Sequence, residues 1–142
     1  VYVDHRRSRK GLEKYRALDP DRLSIQKLND RLLEVFVVHL IQDQKIKEKT
    51  ARAHAGRIGH FGEAYLLDLE EIPLSEADAP DIEDYLGNWY PKIEPDLSPK
   101  ELKRILDSLG MFYRHMYEIQ EIDREVLQGI VETCRDRHHL LS

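Results

Sequence analysis

At 142 residues, 41% hydrophobic and 35% charged, the chain has room for one domain with a modest core. Its seven glycines and six prolines exclude a linker-rich or low-complexity polymer. The net charge of −5 is unevenly laid out: residues 1–57 carry 14 Lys and Arg against 8 acidic side chains, and residues 58–91 carry 9 acidic side chains and no Lys or Arg. A basic face can therefore coexist with an acidic total. The longest apolar run, LLEVFVVHLI, is ten residues, too short to span a membrane.

The N-terminal stretch VYVDHRRSRK has no apolar segment of the kind a secretory leader needs, and it opens on Val, so the expectation is a fragment or a processed chain. Cys134 has no second cysteine to pair with and fits a reducing, cytoplasmic setting. Residues 1–22 read as a basic arm, either solvated or directed at phosphates, and 23–142 as a single helical domain.

The first helix is expected from about Ser24 to Asp43, with Ile25, Leu28, Leu32, Val35, Phe36 and Leu40 on its apolar stripe, widened by Leu33, Val37 and Ile41. His39 lies in this stripe and reads as a packed side chain. A second helix should start at an N-cap Thr50 and run to about Leu69, with Ile58, Phe61, Tyr65 and Leu69 inward. Gly56, Gly59 and Gly62, three apart, would give it a smooth ridge for a neighbouring helix or a ligand. After an acidic connection, Ser75 or Asp78 should cap a short helix carrying Ile82, Tyr85, Leu86 and Trp89, ended by Pro91.

The strongest signal is Ser98–Asp123. Ser98 as N-cap, Pro99 at the first helical position and Glu101 reaching back form a helix start. Leu102, Ile105, Leu106, Leu109, Phe112, Tyr113 and Met116 then make one stripe on a helix of about five turns, the centre of the bundle. A last helix should start from Asp123 and reach about His138. No stretch alternates with period two for long enough to be a strand. The fold expected is all-α, a compact bundle of about five helices.

Little catalytic chemistry is encoded. No nucleophile elbow, P-loop or Cys–His arrangement occurs, so no enzyme activity is expected of this chain. His-x-x-x-His, Glu-x-x-His and paired cysteines are also missing, so spacing predicts neither a metal nor another cofactor and assigns the seven histidines structural or surface roles. Basic side chains are more suggestive. Lys49 and Arg52 on the second helix, with Lys100, Lys103 and Arg104 on the fourth, project away from the apolar stripes and could grip the phosphates of double-stranded DNA.

Taken together, these segments resemble the N-terminal, SAM-like core-binding domain of tyrosine recombinases (phage integrases). The resemblance runs over about Leu28–Glu132. It rests on Leu33 to Leu40, on Thr50 with Ile58 and Phe61, on Asp81-Ile82 with Tyr85-Leu86, and on Ser98 with Leu106, Leu109, Phe112-Tyr113 and Ile122. His54 stands where that family usually has Tyr, and Ile122-Asp123 replaces its usual Asn-Pro. The resemblance implies half of a DNA clamp whose second and fourth helices face the duplex, in a larger recombinase- or integrase-type protein whose catalytic Arg, His and Tyr belong to a separate domain. The rival expectation is a helical accessory domain that binds another protein, for which the acidic middle of the chain argues.

Overall fold

The computed structural model describes residues 20–141, and among these the chain forms five helices and no strand. Helix α1 is Pro20–Gln42. Helix α2 covers 48–70, α-helical over Glu48–His60 and π-wound over Phe61–Glu70. A 3-10 turn, Leu74–Glu76, precedes α3 (79–93), which is α-helical over Ala79–Asp84, π-wound over Tyr85–Trp89 and α-helical again over Tyr90–Ile93. Helix α4 is Pro99–Glu118 and α5 is Arg124–Leu140. No helix among the described residues is long and apolar enough to cross a membrane.

Helix α4 is central, as its stripe requires. It packs against α2 and α5, while α1 packs on α2 and α3 on α5. Phe36, Phe61, Leu109, Phe112 and Tyr113 are completely buried in one core. Phe112 meets Phe36 edge-on at 5.3 Å, the geometry that sets a positive ring edge against a negative face. Trp89, expected among them, is only half-buried, in a ring cluster with His60, Tyr65, Tyr85 and Tyr90.

Several local expectations are corrected. Helix α1 starts at Pro20, so residues 20–22 of the expected arm belong to it; the rest of that arm, residues 1–19, lies outside the described residues. Arg22 is buried and donates to the Leu67 carbonyl at 2.8 Å and to Glu71 at 2.8 Å, which covers the end of α2. Helix α2 starts at Glu48, not after Thr50. The Glu48 carboxylate favours a helix N-terminus and also reaches Arg52 at 3.4 Å. Leu69 is 54% exposed because π winding closes i→i+5 bonds, turning Leu66 and Leu67 inward in its place. Val35, expected on the α1 stripe, is also exposed.

Asp78, not Ser75, caps α3, with its amide donating back to Asp81 at 3.0 Å. Pro91 does not end α3; the widened turn just before it gives its ring room, and the helix runs on to Ile93. Ser98 caps α4 by accepting from the Glu101 amide at 3.1 Å, but the Glu101 carboxylate pairs with Arg104 instead of reaching back. Asp123 caps α5, accepting from Val126 at 2.9 Å.

The loop before α3 is pinned at Leu74. Its amide donates to Asn29 at 2.9 Å and its carbonyl accepts from the Tyr113 hydroxyl at 2.7 Å. Its side chain presses on Gly62, where an added Cβ would come within 3.0 Å. Of the three glycines, only Gly62 is approached this closely; Gly56 faces open space.

Candidate nucleic-acid interface

The flank of α4 that turns from the core carries Lys100, Lys103 and Arg104, followed by Asp107 one turn on. Helix α2 crosses this flank at Ser108. The Ser108 hydroxyl donates to the Arg104 carbonyl at 3.0 Å, and Arg57 donates to Ser108 Oγ at 3.2 Å. His54 Nδ1 lies 2.7 Å from the same Ser108 oxygen, and which of the two donates follows from the imidazole tautomer. Burial, reinforced by the neighbouring Arg57, pulls the His54 pKa below its ordinary value.

Past this crossing, α4 and α5 run antiparallel, joined by the short connection 119–123, and leave an open groove between them. Its lining includes Arg114 from α4, Arg135, His138 and His139 from α5, and His54 from α2. The one carboxylate in that lining, Asp107, lies 3.6 Å from His138 Nε2. Cys134 sits at the floor, and burial pushes its thiol up to about 11, so it stays protonated and unreactive at neutral pH.

The five basic residues singled out from the sequence do not form one face: Lys100, Lys103 and Arg104 share the α4 flank, and Arg52 does not join them. Lys49 is exposed in the first turn of α2 and Lys100 in the first turn of α4; Lys103 is half-buried one turn further along α4, and Arg104 is exposed and paired with Glu101. Arg52 turns the other way, toward α1. Both its terminal nitrogens meet Glu34 at 3.2 Å, and this pairing lowers the Glu34 pKa. It lines a different groove, between α1 and α2, beside Asp30, Glu34 and Glu63. The α2 arginine that does reach the α4 flank is Arg57. The sequence holds a signal for it: Arg57 follows His54 by three and adjoins buried Ile58, whereas Arg52 lies on another side of the same helix.

The acidic stretch is gathered at the α2–α3 corner. Tyr65 donates to Asp84 at 2.5 Å, and burial raises the pKa of Asp81, with the Glu70 carboxyl beside it adding to the shift. A second cluster of titratable groups, His39, His115 and Glu118, lies where the C-terminal ends of α1 and α4 meet. No protein-family model, curated protein or solved structure matches this chain.

Proposed function

We propose that this domain binds double-stranded DNA through its backbone phosphates and has no catalytic activity of its own, serving as a core-binding-like module of a recombinase- or integrase-type protein. The observation that carries this reading is the α4–α5 groove, whose lining sets Arg114 and Arg135, with His138 and His139 beside them, against one carboxylate. Lys100, Lys103, Arg104 and Arg57 extend that basic surface along α4, while the acidic corner is built on the other helices. Lys49, exposed in the first turn of α2, is a further candidate contact. Arg52 contributes least, because a phosphate would have to displace Glu34.

Each phosphate neutralised releases counterions, so log affinity falls against log salt with a slope of about −0.9 per contact. The test is fluorescence anisotropy with duplex DNA at low and moderate salt. Lys103→Glu with Arg104→Glu, and separately Arg114→Glu with Arg135→Glu, are expected to abolish binding without unfolding the domain. Absence of binding at low salt, or binding indifferent to both charge reversals, would refute the proposal. The second reading, a protein-binding accessory domain, would then stand, with Val35 and Val38 on α1, 38% and 43% exposed, as its contact surface.

A further inference from the structure

We propose that His39, His115 and Glu118 form a binding site for a divalent first-row metal ion of the zinc type, with Asp43 orienting His39. His39 lies near the end of α1 and His115 near the end of α4, so the carbonyl-rich, negative poles of two helices converge there, a setting that favours a cation. The two imidazoles stack at 3.8 Å between ring centres, 8° from parallel.

Three features point to a ligand. The His115 side chain is 9% exposed, and both its ring nitrogens are buried without a hydrogen-bond partner. Buried polar atoms are nearly always satisfied, and an imidazole always has one donor and one lone pair, or two donors, to satisfy. Glu118 Oε1, at 3.5 Å from His115 Nδ1, approaches but does not close a hydrogen bond. Asp43 Oδ2 lies 2.8 Å from His39 Nδ1. A carboxylate accepting from Nδ1–H leaves the Nε2 lone pair outward, the arrangement that commonly prepares a histidine to bind a metal.

The ligating atoms of His39, His115 and Glu118 all lie within 4.8 Å of one another. Around a tetrahedral ion with bonds of 2.0–2.1 Å they would stand about 3.3 Å apart. Closing that gap requires the stacked rings to splay so that their in-plane lone pairs converge, and the Glu118 side chain, 61% exposed, to swing inward. Two imidazoles and one carboxylate suit zinc and its neighbours rather than magnesium or calcium, which take oxygen ligands. The fourth position would face solvent through Glu118. The ion would staple α1 to α4 at the end of α4 opposite Lys100, so the site does not depend on the DNA-binding proposal.

The experiment uses the untagged full chain, stripped of metal and titrated with zinc chloride by calorimetry, with cobalt(II) as a spectroscopic stand-in. One ion per chain is expected, with four-coordinate cobalt bands and a melting temperature that rises as zinc is added. Glu118→Gln and His39→Gln should each weaken binding about tenfold or more, and Asp43→Asn by about tenfold, with unchanged helicity by circular dichroism. Glu118 and Asp43 are both exposed, so their variants keep the fold even if a change at a buried histidine does not. Failure to bind a stoichiometric ion would overturn the proposal. So would affinity that is indifferent to Glu118→Gln and His39→Gln, or that falls instead with His138→Gln and His139→Gln.

Discussion

Replacing Tyr113 by Phe removes one oxygen and keeps the ring, which isolates the hydrogen bond that pins the α2–α3 connection. Tyr113 is completely buried and donates to the Leu74 carbonyl at 2.7 Å. Without it, that carbonyl retains only the Ala77 amide at 3.4 Å, longer than an ordinary N–H···O bond. A buried acceptor left without its partner costs about 1–3 kcal/mol, and the residual Ala77 contact places the expected loss near 1.5 kcal/mol. For a domain of this size, that lowers the melting temperature by about 5 °C. Urea unfolding followed by circular dichroism, beside differential scanning calorimetry, measures both quantities. Asn29 holds the amide of the same residue at 2.9 Å, so Asn29→Ala and Tyr113→Phe should be non-additive in combination. A Tyr113→Phe protein that melts with the wild type, or a strictly additive double variant, would refute the idea that Leu74 is clamped from both sides.

Gly56→Ala should stabilise the domain by up to about 1 kcal/mol, since a Cβ there meets nothing and glycine is a poor helix former. Gly62→Ala should destabilise it by about 1–3 kcal/mol, because the Cβ would strike the buried Leu74 side chain; thermal melts of the two variants should move in opposite directions. The Cys134 thiol should react with a disulfide reagent at neutral pH only after denaturant is added, and fast labelling of the native protein would contradict its burial. Burial lowers the pKa values of His54, His60 and His115, so the folded state binds fewer protons than the unfolded state. Stability should therefore be at its full value above about pH 6.5, the ordinary histidine pKa, and fall progressively below it toward the depressed values; chemical melts at pH 7.5 and 5.5 test the sign.

Helical class, the five-helix order and the caps at Ser98 and Asp123 were legible in the chain because they depend on neighbours within one turn. The stripe from Leu102 to Met116 predicted its own burial for the same reason: a period of three and four has only one apolar face to hide. What lay on the far side of each helix was not legible. The turn widening at Phe61–Glu70 moved Leu69 outward and brought Leu66 and Leu67 into the core, and no local propensity announces a π turn. Arg52 projects outward from its own helix, yet Glu34 from α1 captures it, so its direction was decided by which helix lies beside it. The histidine cluster shows the division most clearly. Its members carry no sequence motif, because His39 and His115 belong to different helices far apart in the chain. Local spacing determines which side chains share a face, but a site assembled across two helices exists only once their packing brings those faces together.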